Sequence, residues 1–215
     1  NLNSCGIDLY LCDIDRERLD ATAGMLNSDG VTVSTAVVDC GNREQIETWA
    51  AMICAENDRL DFLFNNAGVA YASPFRDASL ENFEWLMNIN YWGVVWSTKA
   101  FLPLLEASPA GHLVNISSIF GMVGIATQSA YNSAKFAVRG FTESLQAEYW
   151  DSPLTVTCVH PGGIATNIAL RARTDGEAAD VSDAERDHAF KQVARTTPEK
   201  AAQVILKGTL AGRRR

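Results

Sequence analysis

Short apolar runs that alternate with stretches of helical period constrain this chain more than any other feature. The runs are Ile7 to Cys12, Val31 to Val38, the largely apolar Leu60 to Phe64, Leu113 to Ile116, and Leu154 to Val159. Between them lie a charged stretch from Asp13 toward Gly30 and a segment from Asn42 to Ala55 with Ile46, Trp49, Ala50 and Ile53 on one face. A long helical region follows from Ser79 to Leu105, carrying Phe83, Trp85, Trp92, Trp96 and Phe101, and another helix from Ala130 to Tyr149. Thr197-Pro198-Glu199 reads as an N-cap with proline at the first helical position, opening a helix that stops near Gly212. Strands and helices in this alternation predict a parallel sheet covered on both faces, a single three-layer α/β/α domain. Ligands of such sheets bind beyond the carboxyl ends of the strands. The residues to weigh therefore follow the apolar runs: Asp13, Asp39, Asn65 to Gly68, Ser117-Ser118, and Pro161 to Thr166.

Charge and composition exclude several partners. The net charge is −8 and the only basic run is Arg213-Arg214-Arg215, so nucleic acid and anionic membrane surfaces are not expected. No run of about 18 apolar residues is present, so no transmembrane helix is expected. The five cysteines form no C-x-x-C pair and the three histidines are far apart, so no metal site is expected. Free thiols beside apolar runs read as small buried hydrophobes in a reducing, cytoplasmic setting. Segment 168–195 breaks the rhythm, being rich in Ala, Asp and Arg with weak periodicity, and reads as a structureless lid or surface loop.

The chemistry concentrates in three places. In Tyr131-Asn132-Ser133-Ala134-Lys135 a tyrosine and a lysine four apart share a helix face. A phenol titrates near 10, and a neighbouring ammonium favours its phenolate, making Tyr131 a usable proton acceptor or donor. The alternative is a half-buried tyrosine beside a solvated lysine. Asn65-Asn66-Ala67-Gly68 leaves an apolar strand by a sharp exit that brings backbone close to a ligand, and its asparagines also suit tying strands together. Ser118 ends another strand, thirteen residues before Tyr131.

Together these motifs resemble the short-chain dehydrogenase/reductase family, along essentially the whole chain. The resemblance includes Asn90 in Asn88-Ile89-Asn90-Tyr91-Trp92-Gly93, the run Val114-Asn115-Ile116-Ser117-Ser118, and Pro161-Gly162-Gly163-Ile164-Ala165-Thr166. It implies a Rossmann-type doubly wound sheet and hydride transfer between NAD(P) and a secondary alcohol or ketone. Tyr131 would be the general acid/base, and Lys135 would lower its pKa and bind the nicotinamide ribose. Ser118, favoured over Ser117 by its spacing, would hydrogen-bond the substrate oxygen, and Asn90 would hold a water linking Lys135 to solvent. On the cofactor side Asp13 would accept from the adenosine ribose hydroxyls, with Ile14 where NADP-preferring relatives often place arginine. That favours NAD over NADP, although Arg16 and Arg18 follow closely; the alternative for Asp13 is a helix N-cap. Asp39 and Cys40 match the adenine edge, Asn66, Ala67 and Gly68 pass along the ribose, and Pro161, Gly162, Ile164 and Thr166 approach the carboxamide and pyrophosphate.

The chain departs from the family in lacking the phosphate-cradling T-G-x-x-x-G-x-G, expected about 20 residues before an Asp such as Asp13. Asn1 to Cys5 reads as the end of a first helix, so the N-terminal βα unit and a last C-terminal strand are expected outside the sequence. Phe120, Met122, Val123, Ala70 and Tyr71 suggest either an apolar pocket or core. The aromatic face of 83–101 and the face of 130–150 predict a homodimer or homotetramer. An NADPH-dependent carbonyl or oxoacyl reductase and a non-catalytic dinucleotide-binding scaffold are the alternative functions.

Overall fold

The computed structural model describes residues 6–26 and 31–215. The expected ends of segments at Asn1 to Cys5 and at Gly30 lie outside the described residues. In chain order the elements are β1 (Leu9–Asp13), α1 (Arg16–Met25), β2 (Val33–Val37), α2 (Arg43–Glu56), β3 (Phe62–Asn65), β4 (Tyr71–Ala72), α3 (Leu80–Met87) and α4 (Gly93–Glu106). They continue with β5 (His112–Ile116), α5 (Ser129–Glu148), β6 (Thr155–Val159), β7 (Arg173–Thr174), α6 (Asp183–Val193) and α7 (Pro198–Leu210). The helices start where side-chain oxygens take up free N–H groups: Asn42 accepts from Gln45, Ser79 from Asn82, and Thr197 from Lys200 ahead of Pro198.

All strand pairings are parallel. β1 pairs with β2, and β3–β5–β6 form a second block. Among the described residues no ladder joins β1 to β3, yet one helical layer spans both blocks. Tyr10 of β1 and Leu63 of β3 pack against the same buried cluster of Ala50, Ile53, Phe101 and Leu104 from α2 and α4. The Tyr10 hydroxyl also bonds Asn57 at the end of α2 (3.2 Å). A second cluster, Leu105, Leu113, Leu145, Leu154 and Val156, welds α4 and α5 onto β5 and β6. Each such buried Leu or Val contributes about 1.5–3 kcal/mol. With helices on both faces the result is a three-layer α/β/α single domain.

The predicted helix from Ser79 to Leu105 is interrupted. Residues Asn88–Trp92 form one π-helical turn between α3 and α4. Such a turn inserts a residue and rotates the following face, a device frequent at functional sites. It also divides the aromatic stripe: Phe101 is buried, whereas Trp92 is 43% exposed and stacks on Trp96.

Segment 168–195 is not structureless. It contains β7, a 3-10 turn at Gly176–Asp180, and α6, whose N-terminus carries a reciprocal capping box between Ser182 and Glu185. Its low periodicity arises because α6 buries no residue, so its sequence carries no apolar stripe.

Candidate active site

A buried polar chain fixes the strand ends on which the site stands. Asn65 donates to Asn115 Oδ1 (2.8 Å) and to Thr98 Oγ1 (3.0 Å). Asn115 in turn donates to Thr142 (3.0 Å), which caps its own helix carbonyl at Val138 (2.6 Å). Each amide is satisfied, as burial in this interior demands. The chain ties β3, α4, β5 and α5 into one rigid bracket, and Ser118 and Tyr131 hang from it.

β5 ends at Ile116, and the next two serines divide the work. Ser117 Oγ donates to the Lys135 carbonyl (2.8 Å), beneath Gly121, where a Cβ would lie 2.3 Å from Ser117 Oγ and 2.7 Å from the Lys135 carbonyl oxygen. Ser117 is therefore a packing residue. Ser118 points the other way: its Oγ accepts from Phe120 N–H (3.1 Å) and adjoins the Tyr131 side chain closely enough to favour its ionised form. Its carbonyl is held by His160 Nδ1 (3.2 Å), and the Ile119 N–H donates to Pro161 (3.0 Å). Of the two serines, Ser118 is the one that adjoins Tyr131.

Tyr131 and Lys135 do share one face of α5, with the Lys135 Nζ 5.6 Å from the Tyr131 ring centroid. The expected consequence differs. Burial pushes the Tyr131 phenol above its ordinary value, and the neighbouring Ser118 hydroxyl, rather than Lys135, opposes that rise. Lys135 is itself buried, donates to the Ile116 carbonyl (2.9 Å), and is held at about 8 by loss of solvent. The sequence pattern reveals the shared face but not the loss of water around it.

Asn90, fully buried in the π-turn, spends its side chain on Val69, donating to its carbonyl and accepting from its N–H (both 2.8 Å). This pins the turn after β3 instead of presenting the amide to Lys135. Gly68 lies between them: a Cβ there would meet Asn90 Oδ1 at 3.4 Å and Lys135 Nζ at 3.6 Å. The missing side chain leaves a passage from the lysine past the exposed Asn66, Ala67 and Gly68.

The remaining expected residues line the carboxyl edge. Asp13 is exposed and not an N-cap; Asp15 caps α1, while Asp13 Oδ1 accepts from Asp15 N–H (2.9 Å). Ile14 is 65% exposed. Asp39 Oδ1 accepts from Gly41 N–H (2.8 Å), folding the adenine-edge loop of Asp39 and Cys40 back on itself. Pro161, Gly162, Ile164 and Thr166 follow β6, and Ile164 bridges Thr196, closing the base of the 168–195 excursion. An open edge with the exposed carboxylate of Asp13, a side-chain-free passage and the buried Lys135 fits a dinucleotide.

Of the expected pocket residues, Tyr71 is core: it is 2% exposed and packs with Leu86, Ala130 and Ala134. Phe120 meets Tyr131 edge-on at 6.0 Å between centroids, and Met122 and Val123 are exposed. Sequence reading missed two supports of the loop that follows them. Asn132 donates to the Phe120 and Val123 carbonyls (2.6 and 2.8 Å) and fastens the exposed 122–127 loop. Thr127, at φ 65°, turns that loop into α5, and its carbonyl accepts from Ser73 N–H (2.9 Å).

Asp175 latches the excursion to the body. One oxygen, Oδ2, accepts from Tyr71 Oη (2.5 Å), Ser79 Oγ (2.8 Å), Ser79 N–H (3.0 Å) and Asn82 (3.1 Å). These donors hold its carboxyl far below the usual range. Arg173 stacks over Trp85 at 3.7 Å beside it, and Arg171 reaches Asp15 at 3.5 Å. No local signal marks a carboxylate whose partners lie about 90 to 100 residues away.

Comparison with known proteins shows the family. The family model described as short chain dehydrogenase matches residues 1–177. The SadH protein of Mycobacterium tuberculosis is 39% identical over 222 residues, covering 100% of this chain and 78% of that protein. Estradiol 17-beta-dehydrogenase 11 of Homo sapiens is 37% identical over 169 residues, 77% of this chain and 56% of the relative. A solved serine dehydrogenase in complex with NADP+ superposes with a TM-score of 0.76 at 27% identity, covering 95% of this chain and 79% of its own.

Proposed function

Since this chain belongs to the short-chain dehydrogenase family, oxidoreductases that act with NAD(P), we propose that it interconverts a secondary alcohol and its ketone with Tyr131 as general acid/base. The observation that carries this reading is the meeting of Ser118, Tyr131 and Lys135 on one rigid bracket, the Lys135 Nζ lying 5.6 Å from the Tyr131 ring centroid. When bound, the dinucleotide supplies or accepts hydride at its nicotinamide ring. Ser118 and Tyr131 both present hydroxyls to one point, where a substrate oxygen accepts from both. In reduction Tyr131 gives that oxygen its proton as charge develops; in oxidation it takes the proton back. Lys135, buried and cationic near neutral pH, holds ribose hydroxyls and stabilises negative charge on the phenol in transit. With the Asn90 side chain committed to Val69, a proton relay through Asn90 uses its main-chain carbonyl in the π-turn.

We favour NAD, because Asp13 is an exposed carboxylate followed by Ile14, a pair that accepts ribose hydroxyls and repels a 2′-phosphate. The NADP reading has one observation behind it: the Arg18 and Arg171 guanidinium groups converge on Asp15, two residues beyond Asp13. The substrate side is apolar, formed by Phe120, Met122 and Val123, with segment 168–195 as its outer wall and Asp175 as the latch. The exposed Trp92 and its stacked neighbour Trp96 suit a face between copies of this chain. No helix among the described residues is long and apolar enough to cross a membrane.

The test is an absorbance assay of reduced nicotinamide over secondary alcohols and ketones, with NAD and NADP in parallel. Tyr131→Phe is expected to lose at least about a thousandfold in kcat/KM with the fold intact. Asp13→Ala is expected to weaken NAD use more than NADP use. Turnover that survives in Tyr131→Phe removes the assigned mechanism, and an unchanged cofactor ratio in Asp13→Ala removes the preference for NAD.

A further inference from the structure

β6 ends at Val159, but its pairing with the chain after β5 runs on into the site. Ser117 N–H donates to the Val159 carbonyl (2.8 Å), and Ile119 N–H donates to the Pro161 carbonyl (3.0 Å). A parallel pair would return a bond from residue 161, and Pro161 has no N–H to send. A side chain sends a donor across instead: His160 Nδ1 lies 3.2 Å from the Ser118 carbonyl oxygen. A carbonyl only accepts, so the ring donates and its proton sits on Nδ1. Burial holds the imidazole below its ordinary value, hence neutral near pH 7. Nε2 is buried without a hydrogen-bond partner among the described residues, so the bond to Ser118 is the one polar contact of the ring.

Both polar groups of the Ser118–Ile119 peptide are thus anchored to consecutive residues, the carbonyl on His160 and the N–H on Pro161. This peptide adjoins the Cα that carries the Ser118 hydroxyl, where extended backbone (φ −165°, ψ 164°) gives way to the 3-10 turn Ile119–Gly121. Two further bonds reach Ser118, from Gly121 N–H to its carbonyl (2.9 Å) and from Phe120 N–H to its Oγ (3.1 Å). Both come from that same turn and travel with it. Only the anchors on His160 and Pro161 tie this peptide to a different strand. Without the ring, the peptide keeps one of them and pivots about the Ile119–Pro161 bond.

We propose, on the role given to Ser118 above, that His160 is a positioning residue: by fixing the Ser118–Ile119 peptide it keeps the Ser118 hydroxyl aimed at the substrate oxygen. His160 acts through Ser118 and not on the reacting atoms. Its effect falls on the chemical step, because a donor to developing charge works only where that charge appears, and a displacement of about 1 Å costs about a hundredfold. The dinucleotide does not use the Ser118 hydroxyl, so its binding is left as it was.

Two substitutions separate the donor from the bulk of the ring. The amide nitrogen of Asn falls where Nδ1 lies, and that of Gln falls where Nε2 lies. In the full chain, His160→Asn is expected to keep kcat within about threefold of wild type, whereas His160→Gln loses about tenfold or more with KM for the dinucleotide unchanged. Amide hydrogen exchange of the cofactor-free chain, read by NMR, gives a measure independent of turnover. The Ile119 N–H is expected to exchange about tenfold faster in His160→Gln and at the wild-type rate in His160→Asn. Equal kcat in the two variants, a loss carried by KM alone, or Ile119 exchange that does not distinguish them overturns the proposal. Tyr131→Phe runs in the same assay. If it is inactive while the Asn and Gln variants are indistinguishable, His160 alone loses its role; if it turns over normally, the role of Ser118 falls and that of His160 with it.

Discussion

Lys135 should destabilise the fold that it serves, and Lys135→Met measures by how much. The ammonium is buried and held at about 8 against an ordinary 10.5. Since each pH unit corresponds to about 1.4 kcal/mol, keeping the charge inside costs about 3 kcal/mol at neutral pH. Methionine fills the same stem volume without charge, but removes the donor to the Ile116 carbonyl, a loss of about 1–2 kcal/mol. The net expectation is a variant more stable by about 1–2 kcal/mol at pH 7, a rise in Tm of about 2–6 °C for a domain of this size. The pH dependence identifies the cause. Between 8 and 10.5 the folded lysine gives up its proton while the unfolded lysine keeps it. The unfolded state then binds more protons, so wild-type stability climbs with pH through this window relative to the variant. Urea unfolding of both proteins without cofactor, from about pH 7 to pH 10.5, should show the advantage of Lys135→Met disappearing and reversing. Parallel stability curves, or a variant less stable at pH 7, would refute the burial argument. Activity should be lost in either case, because the charge serves the reaction and not the fold.

Asp175→Asn should release the 168–195 excursion, because an amide cannot accept from the donors of Tyr71, Ser79 and Asn82 together. Limited proteolysis should cut the variant within residues 176–195 several times faster, and an unchanged cutting rate would remove the latch; its acid stability should also lose the contribution present above the ordinary carboxylate range and lost as pH falls. Gly93→Ala should cost about 1–3 kcal/mol, since its Cβ would lie 2.5 Å from the Cys40 carbonyl. Gly140→Ala on the exposed side of α5, where nothing lies within 4 Å, should instead stabilise by about 1 kcal/mol, and similar denaturation midpoints for the two would contradict the close approach. The raised phenol of Tyr131 keeps its proton at neutral pH, so kcat/KM for alcohol oxidation should climb with pH while carbonyl reduction stays flat and then falls. Oxidation that is already level at neutral pH would show the phenol to be ionised there.

What the sequence made legible is what short-range pattern encodes. The strands appear in the apolar runs, the cap at Thr197 in its residue type ahead of Pro198, and the Tyr131–Lys135 face in an i,i+4 spacing. Spacing singles out Ser118, and the structure commits Ser117 to packing on the Lys135 carbonyl. Asn65 was expected to tie strands together and does, but its partners Thr98, Asn115 and Thr142 carry no pattern of their own. The π-turn was hidden for a similar reason: one inserted residue hardly disturbs a helical period, yet it turns Asn90 toward Val69.

Solvent is the other quantity that spacing does not contain, and in this site it decides the electrostatics. The same burial raises Tyr131 and lowers Lys135, so both groups are driven toward their neutral forms. An ammonium 5.6 Å from the ring centroid does not outweigh that loss of water, and its nearest partner is the Ile116 carbonyl rather than the phenol. The group that favours charge on Tyr131 is Ser118, a neutral hydroxyl beside it. Proximity therefore wins over charge here, because an adjoining hydroxyl acts strongly in a dry site while the lysine is itself opposed by desolvation. The division of labour follows: Ser118 sets the phenol, and Lys135 holds a charge that the fold, left to itself, would expel.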